Sequence, residues 1–115
     1  MKKILTIILI TLFSCNKQSV VNSDSYQAEI ISFQKLYRAG QIFDLKINLA
    51  IQNSDLATSI EVCRNSFQVN LTVQQGQTSV TDFSVNQNVS SVTYVLRTKL
   101  KTGETIISNP VTFNY

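Results

Sequence analysis

Two antiparallel sheets packed face to face, an all-β seven-stranded sandwich, are what this sequence predicts. Three observations carry the expectation. From Tyr26 onward the apolar residues recur with period two, not 3.6. Val, Ile, Thr and aromatic residues dominate these runs, as half-buried pleated surfaces prefer. Turn-forming clusters interrupt them about every ten residues, the spacing of an antiparallel sandwich. The 115 residues make one domain, and no stretch carries a helical stripe.

The strands follow in order. The first is expected over 27–35 and ends before Arg38-Ala39-Gly40-Gln41. In the second, 42–52, Leu45, Ile47, Leu49 and Ile51 alternate with Lys46, Asn48, Ala50 and Gln52, so one face is buried and one is wet. Gln52-Asn53-Ser54-Asp55 turns the chain into the third, 58–64. Arg64-Asn65-Ser66 leads to the fourth, 67–74, where Phe67, Val69, Leu71 and Val73 alternate with Gln68, Asn70, Thr72 and Gln74. Gln75-Gly76-Gln77 precedes the fifth, 78–84. The sixth, 91–101, sets Tyr94, Leu96, Thr98 and Leu100 against Val95, Arg97, Lys99 and Lys101. Thr102-Gly103-Glu104 is a hairpin tip, and the seventh strand fills 104–114. This phase buries Phe67, Tyr94, Phe113 and Tyr115. Phe33, Tyr37 and Phe43 flank the first turn and are expected to pack at the sandwich edge.

The N-terminus reads as an address. Met1-Lys2-Lys3 is a positive start, and Ile4–Phe13 is an apolar run broken only by Thr6 and Thr11. Ten helical residues span about 15 Å, half the hydrocarbon thickness of a bilayer. That is too short to cross and right for a signal-peptide core. Leu12-Phe13-Ser14-Cys15 resembles the lipobox of bacterial lipoproteins. The chemistry needs a thiol just beyond a small residue, because the peptidase site admits little bulk. The resemblance implies cleavage before Cys15, a diacylglycerol thioether on that cysteine and an acyl group on its freed amine; no other cofactor is expected. The chain then divides into a leader (1–14), a lipidated cysteine with a polar tether (15–25) and a sandwich (26–115). Two or three acyl chains anchor stably. Asn16 stands where an aspartate favours inner-membrane retention in some Gram-negative bacteria. The expected location is therefore the outer membrane of the cell envelope.

Charge and residue types exclude several functions. The formal charge of +3 includes Lys2 and Lys3. Without them 8 basic residues face 7 acidic ones, too small an excess for nucleic acid, whose binding rests on clustered phosphate contacts. Ser, Thr, Asn and Gln number 44, yet 43% of the chain is apolar, which separates it from disordered sequences. Histidine is absent, so Ser-His-Asp and Cys-His constellations cannot be built, nor a zinc site that uses histidine. The acids Asp24, Glu29, Asp44, Asp55, Glu61, Asp82 and Glu104 are scattered, with no pairing that serves glycoside hydrolysis. There is no Asp-rich calcium loop and no glycine loop for phosphate. The protein is expected to be non-catalytic and to hold no metal. If Cys15 is lipidated, Cys63 has no intramolecular partner. Strand phase puts it beside Glu61, as a small half-buried apolar residue or as a thiol that pairs with another chain.

Several segments between Ile60 and Phe113 share one resemblance. Ile60-Glu61-Val62-Cys63-Arg64-Asn65 looks like strand C of a fibronectin type III domain, in the form common in bacterial secreted proteins. Thr78-Ser79-Val80-Thr81-Asp82 looks like the strand before its E–F corner, and Thr93-Tyr94-Val95-Leu96-Arg97-Thr98 like its tyrosine-bearing strand F. Gly103 and Ser108-Asn109-Pro110-Val111-Thr112 match the F–G turn and strand G. Asn48 and Leu49 stand where the family usually has a core tryptophan. The resemblance implies an immunoglobulin-like sandwich with strands C, C′, F and G in one sheet, used for binding or spacing. It also implies a tyrosine corner, with the Tyr94 hydroxyl bonded back to backbone.

Two-residue spacing puts Arg97, Lys99 and Lys101 on one side of strand F. With C′ in the same sheet, Gln68, Asn70 and Thr72 share that wet face. Such a face of amides, hydroxyls and cations can take a protein edge or an acidic glycan, or serve as a solvated surface that blocks edge pairing. The expected function is a lipid-anchored envelope lipoprotein whose sandwich binds a protein of an envelope complex. The alternatives are a surface polysaccharide binder and a purely structural envelope protein.

Overall fold

The computed structural model describes residues 21–23, 26–64 and 67–115. The expected leader 1–14, Cys15, tether residues 16–20 and the pairs 24–25 and 65–66 lie outside the described residues. The described chain is all-β, with two antiparallel sheets and two single-turn 3-10 segments, Ala39–Gln41 and Ser54–Leu56. The strands are β1 (Val21–Ser23), β2 (Tyr26–Tyr37), β3 (Phe43–Gln52), β4 (Ala57–Arg64), β5 (Val69–Thr72), β6 (Ser79–Asp82), β7 (Ser91–Leu100), β8 (Thr105–Ile107) and β9 (Val111–Asn114). One sheet has the order β1-β2-β3-β6. The other has the order β5-β4-β7-β8, and β9 also pairs with β7.

Among the described residues nine strands stand where seven were expected. Residues 21–23, assigned to the tether on composition, pair with β2 as β1. The last expected strand, 104–114, is two pieces, with β8 along Arg97–Lys99 and β9 along Ser91–Tyr94. The break has a cause in the sequence. Pro110 has no N–H to give a ladder. Just before it, the Ser108 hydroxyl replaces a backbone acceptor, taking the Leu96 N–H at 2.8 Å and donating to the Asn109 carbonyl at 3.0 Å.

The core follows the period-two pattern. Along β7, Val92, Tyr94, Leu96, Thr98 and Leu100 are all buried. They face Phe43, Leu45, Ile47 and Leu49 of β3, which are buried too. In β2 a register shift between Ile30 and Ser32 turns Ile31 outward and lets Phe33 point back inward. The Phe33 ring then meets Tyr94 at 5.8 Å and Phe113 at 5.1 Å between centroids. Burying each aliphatic side chain contributes about 1.5–3 kcal/mol, so this interior holds the two sheets together. Thr98 is polar but satisfied, 2.9 Å from the Tyr26 hydroxyl of the opposite sheet.

Strand direction gives the sandwich two distinct ends. The turn 38–42, residues 67–68 and the loop 83–90 lie at one end. The turn 53–56, the loop 74–78 and the β7–β8 turn lie at the other, where the Lys101 N–H donates to the Leu56 carbonyl at 2.9 Å. Among the described residues no helix is long and apolar enough to cross a membrane.

Candidate functional site

The expected binding face is assembled only in part. Direct pairing of Thr72 with Glu61 and of Glu61 with Arg97 sets these three side by side on the outer surface of the β5-β4-β7 sheet. Asn70 shares that surface through its pairing with Cys63, and Lys99 lies between Ser59 and Thr105. Two of the six expected residues depart. Gln68 sits in the turn before β5, its N–H donating to the Arg64 carbonyl at 3.0 Å. Lys101 lies beyond the end of β7 and belongs to the 53–56 end. Strand phase persists only while the ladder does, and both residues lie just outside it.

Arg97 is not a free cation. Its Nε and Nη2 both donate to Glu61 Oε1, at 3.0 and 2.6 Å. The hydrogen bond to the Glu61 carboxylate raises the guanidinium pKa above its ordinary value. The other side of the guanidinium lies 4.7 Å from the centroid of the Phe67 ring. Phe67 is thus 37% exposed, not buried as the alternation predicts. It precedes β5 and takes a left-handed φ of 71°, which is costly for a bulky residue. It therefore sits outside the alternation of the strand. The result is a flat outer surface with an oriented guanidinium, an aromatic ring, amides and hydroxyls, and Ile107 exposed opposite Arg97.

Cys63 lies on the outer side of β4 yet is fully buried and unbridged. Burial pushes its thiol pKa up, and the nearby Arg97 charge only partly opposes this. Such a thiol is a packing residue with little thiolate character.

Beneath the face lies a group that composition did not reveal. Arg64, at the end of β4, reaches across to the other sheet. Its Nη1 donates to Asp82 Oδ2 at 2.8 Å and to the Ser84 carbonyl at 3.0 Å. The Tyr94 hydroxyl donates to the same Asp82 oxygen at 2.6 Å, and the Ser84 N–H and hydroxyl take Asp82 Oδ1, each at 3.0 Å. The Tyr94 bond therefore goes to a carboxylate, not back to backbone as the tyrosine-corner expectation had it. A carboxylate at an inward position needs such compensation, because burying an isolated charge is prohibitively costly. The signal was present: Asp82 follows Val80 in the inward phase of β6. Burial pushes the Tyr94 phenol well above its ordinary pKa, and the hydrogen bond and negative charge of Asp82 push it further.

In the Arg64–Asp82–Tyr94 group the Asp82 carboxylate is fully partnered, while Arg64 Nε is buried without a hydrogen-bond partner. Two surface hollows flank the group and the face. One of about 280 Å³ lies at the 53–56 end, lined by hydroxyls and amides of Ser54, Thr58, Ser59, Thr72, Gln74 and Gln75. One of about 230 Å³ lies at the 38–42 end, among Arg64, Gln68, Asn86 and Tyr115. Among the described residues no three acidic or cysteine side chains converge to hold a metal ion. No protein-family model matches the chain, and no curated protein or solved structure matches it significantly.

Proposed function

We propose that this chain is a non-catalytic outer-membrane lipoprotein, anchored through Cys15, whose fibronectin type III-like sandwich binds a protein partner in an envelope complex. The observation that carries the binding reading is the outer face of the β5-β4-β7-β8 sheet. Phe67 and Ile107 are exposed there beside an arginine already oriented by Glu61. Aromatic residues and arginine are the side chains that most often dominate protein interfaces. Orienting Arg97 in advance lowers the ordering cost of association. Support for the finer fold comes from β4, β5, β7, β8 and β9 sharing one sheet, the grouping the resemblance implies for C, C′, F and G. Support for the anchor comes from the Lys2-Lys3 start, the apolar run and Leu12-Phe13-Ser14-Cys15.

A second reading, a surface polysaccharide binder, has its own observation. Phe67 is exposed next to Gln68, and Phe83 is exposed near Asn86, Gln87 and Asn88. Aromatic faces beside amides are what a sugar ring stacks on.

The test is cross-linking of the tagged, full-length protein in the cells that make it, followed by mass spectrometry, with Cys15→Ala as control. A specific stoichiometric partner, lost when the anchor is lost and weakened in Arg97→Ala, supports the adaptor reading. Capture of no protein by the anchored form sinks it, and retention on envelope polysaccharide then supports the second reading.

A further inference from the structure

We infer that the hollow at the 53–56 end is a binding subsite for a neutral sugar, one pyranose unit of a glycan. Such a subsite is separate from the Phe67–Arg97 face and needs no Cys15 anchor. The two ends of the sandwich offer different surfaces. Leu36, Tyr37, Ile42, Phe83 and Val89, five of the nine large apolar side chains exposed among the described residues, lie at the 38–42 end. At the opposite end polar groups surround a notch of about 280 Å³.

The notch exists because β5 leaves β4 early. Direct pairing runs from Arg64 and Val69 to Glu61 and Thr72, and the Val73 N–H adds a bond to the Ile60 carbonyl at 2.8 Å. The chain then turns away. The Gln74 N–H donates to Gln77 Oε1 at 2.6 Å and the Gln77 N–H to the Gln74 carbonyl at 3.0 Å, with Gly76 between them at a left-handed φ of 86°. Ala57 and Ser59 keep their partners Leu100 and Lys99 in β7. On the β5 side the stretch 57–59 has no strand beside it among the described residues. Ser54, in the 3-10 turn before β4, closes the notch from the other side.

The lining selects the ligand. No charged side chain lines the notch, so an ion entering it would give up hydration without a partner. Hydroxyls and amides line it instead, and each can donate and accept. Among the described residues the side chains of Ser54, Ser59, Thr72 and Gln75 bond to no other residue. The Thr58 hydroxyl donates to the Lys99 carbonyl at 3.0 Å, which fixes it and leaves its lone pairs to accept. Sugar hydroxyls are matched donors and acceptors for such a set. Ala57, Ile60 and Val73 supply the apolar part of the lining, against which the C–H face of a pyranose can lie. Ligand pockets run from about 300 to 1,000 Å³, so this volume suits one sugar unit. The locked Gln74–Gln77 turn holds one wall in place before binding, which lowers the ordering cost. An added peptide strand fits less well. The open stretch of β4 is three residues long, and the register shift between Ala57 and Ser59 breaks the straight ladder that a strand needs.

The test uses the full-length protein in a phosphocholine detergent, which carries no sugar. Cellotriose, maltotriose, mannotriose, chitotriose, the acidic trigalacturonate and an extended peptide of alternating Thr and Val are added separately, each up to about 10 mM. Hydrogen–deuterium exchange read by mass spectrometry follows the segments 53–60 and 72–78. The expected result is that at least one neutral trisaccharide slows exchange there by about twofold or more and leaves 38–42 and 83–90 unchanged. Ser59 and Gln75 are exposed, so Ser59→Ala and Gln75→Ala fit the fold. Each should weaken that binding by about three- to tenfold. No slowing by any neutral trisaccharide overturns the subsite. Slowing by trigalacturonate alone overturns its neutral character, and slowing by the peptide alone assigns the notch to an added strand and overturns it too. Sugar binding that Phe67→Ala or Phe83→Ala abolishes, while Ser59→Ala spares it, belongs at the exposed phenylalanines of the polysaccharide reading and also overturns the subsite. None of these results touches the protein-partner reading, which cross-linking decides by itself.

Discussion

At the 38–42 end the two sheets are joined by bonds between residues far apart in sequence. Arg64 and Tyr94 both donate to Asp82, and Gln87 donates to Phe43, which lies 44 positions away. At the opposite end the turns close mainly on themselves, beside the one backbone bond from Lys101 to Leu56 already described. Gly103 N–H donates to the Leu100 carbonyl at 2.9 Å, Gln77 N–H to Gln74 at 3.0 Å and Leu56 N–H to Asn53 at 3.0 Å. The difference teaches that one small sandwich can close its two ends by opposite means. One end uses buried charge and long-range pairing, and frees its loops to carry exposed apolar side chains. The other relies mainly on local turn geometry and presents polar groups around Leu56, its one exposed large apolar side chain among the described residues.

Breaking the long-range end has the largest expected effect. Arg64→Met leaves the Asp82 carboxylate, which is almost wholly buried, without its cation. We expect a loss of about 3 kcal/mol or more in denaturant unfolding. Replacing the whole group sharpens the point. Arg64→Met, Asp82→Leu and Tyr94→Phe together should cost less than Arg64→Met alone, because an apolar core of similar volume has no charge to compensate. If Arg64→Met costs no more than a far-end turn substitution, the contrast between the ends collapses.

Tyr94→Phe comes next. It removes one hydrogen bond to a charged acceptor and leaves Asp82 with Arg64 and Ser84. The expected cost is about 2 kcal/mol, read as a lowered midpoint with unchanged slope.

Buried phenols at both ends set an alkaline limit. Burial raises the phenol pKa values of Tyr94, Tyr115 and Tyr26 above the usual 10.0. The unfolded chain releases these protons near pH 10, and the folded chain holds them longer. Their contribution is therefore complete below pH 10 and is lost as pH rises through the folded values. Absorbance of ionised tyrosine and loss of secondary structure should rise together above pH 10. Ionisation of all three phenols near pH 10 with the fold intact would contradict this.

The smallest effect is expected at the local end. Gly103 has φ 94°, and a Cβ there meets nothing within 4 Å. Gly103→Ala should therefore cost only the backbone strain, about 1 kcal/mol, measured by thermal unfolding. It should leave the Arg64–Asp82 bond untouched.

How much was legible in the sequence follows the same division. The first six expected strands recur with ends moved by no more than two residues, because period-two burial is written residue by residue. Gln52–Asp55, Gln75–Gln77 and Thr102–Glu104 read correctly as turns, since their bonds close within three residues. Phe67 was misplaced because it stands before the ladder begins, where alternation does not apply. Arg64 and Asp82 were seen as charges but not as partners, because nothing in an 18-residue separation says that two sheets will bring them together. Of the expected face, Asn70, Thr72, Arg97 and Lys99 share a surface, and Gln68 and Lys101 do not.

Sequence by itself determined the fold class, the strand phases and the absence of histidine chemistry. Each is a property of neighbours along the chain or of composition. Only the tertiary structure decided that Glu61 occupies Arg97, that Asp82 is shared by Arg64 and Tyr94, and that the exposed apolar residues gather at one end. Those arrangements depend on which strands lie side by side, and pairing is settled by packing over the whole core, not by any local preference.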